Sequence, residues 1–520
     1  MGMGDILRRS AFNFPRKQAL ACGQNVITYH ALNARVNRLA NNLLKMGIKK
    51  GDRLAVLFHN CPEFVEVYFA SAKIGTIFVP LDNLLKGMEL TQIIKYVSPR
   101  YLFTDPDYEE FIGSIRKQLP FIERFIGLRG ISSTDFMEYD SMIEQGESSE
   151  PDVHISDSDV MTIILTTGTT GLPKGVMRTH RHNFINAMID TIELNIRFDD
   201  RTIFLTPPYH VTTEAVFGRH ILMANTIFIM REGSFDPKAF LDILSREKIT
   251  MFQIVPTMIM AMLHVENIHT YDLSHLRLIL YAASPIQVAL LKRAIQTFKC
   301  QFMQMYGQTE SGPLITVLRP EDHIAEGSPA QLARLASAGL PVLDFEVRIV
   351  DEKGRDVAAG EVGEIIARGE AMTIGYWNLP DETSKILRDG WLHTGDMGRL
   401  DEDGYVYIVD RKNDMIISGG QNIYPREVED VLLQHEAVQE AAVIGVPDEY
   451  WGESVRAVVV LKDGAKASGE ELIDFCKKRL ATYKKPRTVE FRDALPKSAT
   501  GKTLKKLIKR EYWKGTERNV

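Results

Sequence analysis

The apolar positions of this chain change period several times, and the changes outline its elements. Tyr29-His30-Ala31-Leu32-Asn33 opens a helical run that ends at Met46, in which Leu32, Val36, Leu39 and Leu43 recur at steps of four, three and four and share one face. Gly47 and Gly51 bracket a short connection into Arg53-Leu54-Ala55-Val56-Leu57-Phe58, which reads as a strand. A second helix begins after Cys61-Pro62 and stops near Gly75, and Thr76-Ile77-Phe78-Val79-Pro80-Leu81 is the next strand. Strand, helix and strand at this spacing predict a parallel, doubly wound α/β sheet. The same alternation returns over 202–230 and 251–280.

Near residue 340 the pattern shortens. Gly339-Leu340-Pro341, Asp351-Glu352-Lys353-Gly354 and Asp401-Glu402-Asp403-Gly404-Tyr405 punctuate short alternating runs such as Phe345-Glu346-Val347-Arg348-Ile349-Val350, which predicts antiparallel β structure with tight turns. Beyond Asp410 helical patterns over 427–436 and 469–480 alternate with strand patterns over 441–446 and 457–461, as in a small α+β domain. The expected organisation is therefore α/β with an α+β appendage. A large N-terminal domain of parallel and mixed sheets, with helices and a β-rich subdomain, covers 1–409. A connection follows at 410–414, and a small C-terminal domain at 415–520.

Composition adds exclusions. A chain of 520 residues with 45% hydrophobic and 25% charged residues can build several cores. A net charge of −6 carries no overall nucleic-acid footprint. Cys22, Cys61, Cys300 and Cys476 are far apart and form no CxxC pair, which points to reduced thiols and a cytoplasmic location rather than disulfides or zinc. The N-terminus Met1-Gly2-Met3-Gly4-Asp5-Ile6 lacks an apolar signal core, and Ile6 stands where a myristoylation motif needs Ser or Thr. The most apolar stretch, 251–265, is interrupted by Gln253, Pro256 and His264 and is too short to span a bilayer, so no transmembrane segment is expected.

The chemistry begins where the strand-like run Val160-Met161-Thr162-Ile163-Ile164-Leu165 enters Thr166-Thr167-Gly168-Thr169-Thr170-Gly171-Leu172-Pro173-Lys174-Gly175. Glycines let backbone N–H groups approach an anion, hydroxyls add donors, and a lysine adds a charge on a flexible stem. The spacing is not that of the Walker A loop. Three further clusters follow: Gln304-Met305-Tyr306-Gly307-Gln308-Thr309-Glu310, then Trp391-Leu392-His393-Thr394-Gly395-Asp396 with Asp410-Arg411-Lys412, then Pro496-Lys497-Ser498-Ala499-Thr500-Gly501-Lys502-Thr503. The last imitates the end of a P-loop, but Pro496 occupies the place of its first glycine. Taken singly, each cluster also reads as a turn, a helix cap or a solvated face.

In this order and spacing the blocks resemble the adenylate-forming superfamily, which includes acyl-CoA synthetases, firefly luciferase and the adenylation domains of peptide synthetases. The resemblance runs from about residue 10 to 510. It implies a mobile C-terminal lid and a two-step reaction, in which a carboxylate attacks the α-phosphorus of ATP and the thiol of CoA then displaces AMP. By resemblance Thr166, Thr167, Gly168, Thr169, Thr170, Gly171 and Lys174 hold the β- and γ-phosphates, with Ser usual where Thr167 stands. Glu310 holds Mg²⁺, Thr309 lies near the α-phosphate, and Tyr306 offers a face to adenine. Asp396 and Arg411 hold the ribose. Lys502 reaches the carboxylate and α-phosphate while the lid is closed. The hinge falls at Asn413, where the family usually has Asp or Lys. In the rotated state Ser418, Gly419 and Gly420 approach pantetheine, and Lys484, with Lys485 and Arg487, meets CoA phosphates or simply forms a solvated face.

For the acid, the resemblance points to His210, Val255, Tyr281, Ala282, Ala283, Ser284, Met305 and Leu314. His210 matches an aromatic gate position and also reads as a satisfied core histidine. Ala282 and Ala283 replace a glycine pair common in the family, and their methyls should narrow the channel. Peptide-synthetase domains hold an amino group with an Asp shortly after the gate. Here the only nearby anion is Glu214, which disfavours an amino acid. The expected activity is ATP-, Mg²⁺- and CoA-dependent activation of a small carboxylic acid, of medium-chain fatty type. A cyclic or aromatic acid is the alternative, and luciferase-like or amino-acid-adenylating chemistry is more remote. A homodimer is compatible with the resemblance.

Overall fold

The computed structural model describes residues 2–166, 173–231, 235–284, 286–412, 414–418, 421–448, 450–497 and 503–513. The chain forms two compact units, Met1–Val347 with Ala367–Leu392, and Arg348–Ile366 with His393–Val520. The expected connection at 410–414 lies inside the second of these.

The first unit holds two large sheets. One has nine strands. Among the described residues its parallel centre runs Gln301–Tyr306, Leu278–Tyr281, Met251–Ile254, Arg201–Phe204, Thr226–Ile229 and Gln18–Cys22, with antiparallel Thr316–Leu318 and then Leu340–Pro341 on one side and antiparallel Asn25–Thr28 at the other edge. The other has seven, in the order Met137–Glu138, Arg124–Gly127, Tyr101–Thr104, Arg53–Leu57, Ile77–Pro80, Val160–Thr166 and Lys174–Thr179; only the last pair is antiparallel. The doubly wound reading is correct for both centres. Their strands are short β-branched and aromatic runs buried along their length, as sheets covered on both faces require.

The helix Tyr29–Lys45 places Leu32, Val36, Leu39 and Leu43 at zero exposure in a core with Pro62–Ile74. Pro62–Ile74 is apolar nearly all round and is buried except at Glu63, so it is a central helix rather than a surface one. Thr28 caps the first of these helices by accepting the Ala31 N–H.

In the second unit, residues 396–400 pair antiparallel with Val406–Arg411. The C-terminal part is a sheet ordered Gln421–Ile423, Ile416–Ser418, Gly452–Leu461, Val438–Asp448, with Thr488–Phe491 added in parallel to Gly452–Leu461. Helices Pro425–Leu432 and Gly469–Lys477 cover it with Val428, Leu432, Leu472 and Cys476. All four cysteines are free. Among the described residues no helix is long and apolar enough to cross a membrane.

Candidate active site

Four neighbouring strands of the nine-stranded sheet end side by side: Arg201–Phe204, Met251–Ile254, Leu278–Tyr281 and Gln301–Tyr306. The carboxyl ends of parallel strands are where α/β sheets bind ligands, because helix starts and loops converge there. His210, Val255, Ala282 and Tyr306 all follow or close these strands, so the topology gathers residues that lie up to 96 positions apart in sequence.

Val255 caps the helix Pro256–Leu263, and the Ala282 N–H donates to the Ile254 carbonyl at 3.3 Å. Met305 and Leu314 are buried. Tyr281 is fully buried, and its hydroxyl lies 3.0 Å from His323 Nε2, whose Nδ1 is 2.8 Å from the Arg319 carbonyl. Burial holds His323 down at about 4, so the neutral ring donates through Nδ1 and accepts a hydrogen bond from the Tyr281 hydroxyl at Nε2. The Tyr281 hydroxyl is thereby committed to the fold. His210 is half-buried at the start of helix Val211–Leu222, where Nδ1 accepts the Thr212 N–H at 3.3 Å. Burial lowers it to about 4, so it is a neutral ring at physiological pH. Its capping bond shows that part of its role is structural.

Ala283 has φ +70°, a left-handed conformation that costs a non-glycine residue roughly 1–2 kcal/mol. The glycine common in the family at this pair thus has a conformational reason beside the steric one. Ala283→Gly should stabilise the protein by about 0.5–1 kcal/mol once the extra freedom of the unfolded glycine is subtracted. A higher urea midpoint at unchanged slope is the expected reading; a lower one would contradict the strain.

The strands on either side of 167–173 pair with each other. Val160–Thr166 pairs antiparallel with Lys174–Thr179 in the register Leu165↔Gly175 and Thr166↔Lys174. Lys174 and Gly175 therefore belong to the returning strand, so the Gly- and Thr-rich stretch 166–175 is not all loop: its last two residues are strand. A Cβ on Gly175 would stand 2.6 Å from Ile163 Cγ2, so side-chain crowding across the hairpin demands glycine there. Thr167, Gly168, Thr169, Thr170 and Gly171 lie outside the described residues, as do Asn413, Gly419, Gly420 and Lys502.

On its other side the returning strand meets the segment 373–377. The Met177 N–H donates to the Gly375 carbonyl at 3.0 Å, the Trp377 N–H to the Gly175 carbonyl at 2.7 Å, and the Thr373 hydroxyl to the Met177 carbonyl at 2.7 Å. This brings in two residues that sequence reasoning missed. Lys174 Nζ sits 5.0 Å from the centre of the Tyr376 ring and pairs with Glu382 at 2.5 Å. Glu382, held down at about 2 by Lys174 and then Lys385, is a built-in anionic partner for Lys174.

Glu310 stands on the short turn Thr309–Ser311 after strand Gln301–Tyr306. Gly307 is required because a Cβ there would collide with the Pro313 carbonyl. The Gln308 N–H donates to Ser311 Oγ at 3.0 Å and closes the turn. The Glu310 carbonyl accepts the Thr373 N–H at 2.8 Å, and the Tyr376 hydroxyl donates to Glu310 Oε1 at 2.7 Å. Burial and then the Glu310 charge raise Tyr376 well above the ordinary phenol range, so it is a permanent donor. Among the described residues no group of three or more His, Cys, Asp or Glu side chains is placed so as to hold a metal ion. A lone hard carboxylate suits Mg²⁺, which keeps its waters and takes phosphate oxygens, and does not suit a metal that needs a full protein cage.

Arg178, on the returning strand, is 1% exposed, with Glu214 Oε2 3.4 Å from its Nε. Burial pushes Glu214 up to about 7 against the pull of Arg178 and Thr162. Glu214 thus faces an arginine of its own chain.

In the second unit Asp396 and Arg411 face each other across paired strands, with Nε–Oδ1 2.6 Å. The Asp396 N–H donates to the Thr394 hydroxyl, and that hydroxyl to the Ile365 carbonyl. Ser418 is buried at the end of Ile416–Ser418. Lys484 is paired with Glu427 at 2.7 Å. The Arg487 guanidinium lies 4.8 Å from the Trp451 ring centre, a contact no local pattern announced.

Residues 7–377 match the AMP-binding enzyme family, and 427–502 match the AMP-binding enzyme C-terminal domain. A feruloyl-CoA synthase of Amycolatopsis sp is 35% identical over 511 residues, covering 98% of this chain and 99% of that one. A long-chain-fatty-acid–CoA ligase of Bacillus subtilis (strain 168) is 35% identical over 539 residues, with 97% and 94% covered. The crystal structure of the anthranilate CoA ligase AuaEII in complex with anthranoyl-AMP superposes with TM-score 0.89 at 28% identity, covering 98% and 97%. The family is ATP-dependent, uses CoA, and takes Mg²⁺ as its usual ion. With both matched regions in sequence order along one chain, the protein belongs to the AMP-binding, adenylate-forming enzymes of acyl-CoA ligase type.

Proposed function

We propose that the protein is an AMP-forming carboxylate–CoA ligase acting on a medium-chain fatty acid. The observation that carries the ligase reading is the joint placement of Lys174, Tyr376 and Glu310 around one returning strand. Two anions must meet in the first step, and the site offers a lysine and a fixed carboxylate for a cation where their charge has to be offset.

In this reading Lys174 leaves Glu382 for the β- and γ-phosphates, and the residues 166–171 supply the remaining donors. Glu310, oriented by Tyr376, would hold Mg²⁺, which neutralises charge on the phosphates as pyrophosphate departs. Thr309 stands by the α-phosphate, Tyr306 by adenine, and Asp396 and Arg411 by the ribose. Lys502 serves the carboxylate and α-phosphate, and the 410–414 segment, with Asn413, acts as the hinge between the two half-reactions. Ser418, Gly419, Gly420 and Lys484 serve CoA, and for Lys484 that means exchanging Glu427 for a phosphate.

Buried Met305 and Leu314 and half-buried Val255 support a hydrocarbon acid. The second reading is an aromatic acid, favoured by the feruloyl-CoA synthase and anthranilate CoA ligase likenesses. Pyrophosphate release measured over acids of graded length and ring content, with and without CoA, tests both. AMP, pyrophosphate and an acyl thioester are the expected products. ADP and phosphate would overturn the ligase reading, and a clear preference for ring-bearing acids would replace the first substrate class by the second.

A further inference from the structure

We propose that Arg178 is a positioning residue for adenylate formation, a buried guanidinium that ties together the two chain segments fixing the Glu310 carboxylate. The inference rests on the reading of Glu310 as the metal-holding carboxylate. Glu310 depends on two segments: the turn Thr309–Ser311 that bears it, and the 371–376 segment whose Tyr376 hydroxyl donates to it. Arg178 Nη1 faces carbonyls from both, Ala371 at 3.3 Å and Thr309 at 3.5 Å.

The other nitrogens anchor the fork itself. Nε donates to Asn183 Oδ1 at 2.8 Å and Nη2 to Asn186 Oδ1 at 3.1 Å. Asn186 Nδ2 in turn donates to the Gly312 carbonyl at 2.6 Å, just past the turn. Gly312 has φ +73°, and a Cβ there would collide with both terminal guanidinium nitrogens and with Asn186, so the fork lies directly against the backbone. Glu214 supplies the counter-charge at 3.4 Å, although neither of its oxygens makes a hydrogen bond of ordinary geometry.

Burying a guanidinium is costly, and an aliphatic residue would fill the volume more cheaply. A planar fork with five donors can instead reach several fixed acceptors at once, which a lysine cannot. Small displacements of a reacting group cost large rate factors, so a clamp on Glu310 acts on the step that Glu310 serves.

The test uses the full chain carrying Arg178→Met together with Glu214→Gln, so that no buried carboxylate is left without its partner. Pyrophosphate release should fall about ten- to hundredfold. The Mg²⁺ concentration for half-maximal rate should rise several-fold. KM for the acid, and thioester formation from supplied acyl-adenylate and CoA, should stay at wild-type values. Arg178→Lys should recover part of the Mg²⁺ response. Should the double variant fail to fold, Asn186→Ala, which frees Gly312, must shift the Mg²⁺ requirement in the same direction. An unchanged Mg²⁺ requirement in the folded variants, or equal loss of both half-reactions, overturns the inference. A silent Glu310→Ala would instead mean that the reading of Glu310 itself is wrong.

Discussion

Glu310→Ala is expected to slow adenylate formation by about 10²–10³, or roughly 3–4 kcal/mol, the usual worth of one preorganised electrostatic contact at a reacting centre. The residue is held at three points: its backbone by the closed turn Thr309–Ser311 and by the Thr373 N–H on its main-chain carbonyl, and its carboxylate by the Tyr376 hydroxyl on Oε1. A group fixed in advance spends nothing on reorganising when charge develops, which is why the loss should fall on the rate constant more than on KM for the acid. Tyr376→Phe removes one hydrogen bond to a charged oxygen and should cost less, about 1.5–3 kcal/mol. The two changes should combine to less than their sum, since Tyr376 acts only through Glu310. Rapid-quench measurement of acyl-adenylate in the absence of CoA reads all three variants. Near wild-type adenylation in Glu310→Ala would end the metal role, and a full additive loss would give Tyr376 an independent one.

How far the sequence alone reaches can be judged on the same residues. The helix 29–45 was legible because four apolar positions at helical steps have no other economical explanation, and all four are buried. The doubly wound sheets were legible because short β-branched runs separated by helices allow few topologies. What the pattern could not reveal is contact between distant segments. Glu310 and Tyr376 are 66 positions apart, and Lys174 and Glu382 are 208 apart. Arg178 was invisible for a different reason: arginine normally reads as surface, and only the fold shows it buried among asparagines and carbonyls. In the sequence Lys174 belongs to the Gly- and Thr-rich stretch 166–175 and carries no strand signal of its own. The pairing Thr166↔Lys174 makes it a strand residue, whose side chain is aimed by the hairpin rather than by a flexible loop. The resemblance points to Tyr281 for the pocket, and nothing in the pattern around it announces His323, 42 positions on, which lies against its hydroxyl.

Lys502→Ala is expected to separate the two chemical steps, with the largest effect of any single change. By resemblance this lysine serves the substrate carboxylate and the α-phosphate as two negative groups approach each other. A positive charge there acts on the transition state of adenylate formation and on little else. The thiol step needs the same space for pantetheine, so the lysine should be absent from it. Lys502→Ala should therefore lose adenylation by about 10²–10³ or more, while converting supplied acyl-adenylate and CoA to thioester near the wild-type rate. Asn413→Pro is the complementary variant. Proline fixes φ near −65° and removes the N–H, so a hinge that must adopt two backbone conformations would be held in one. If the retained state is the one for adenylation, thioester formation fails and pyrophosphate release survives. The retained state is read directly from which half-reaction survives. The pair of variants thus gives a crossed pattern that a merely structural role cannot imitate, because destabilising the fold lowers both steps together. Equal loss of both half-reactions in Lys502→Ala, with unfolding at the wild-type midpoint, would remove the ground for a two-state lid in this enzyme.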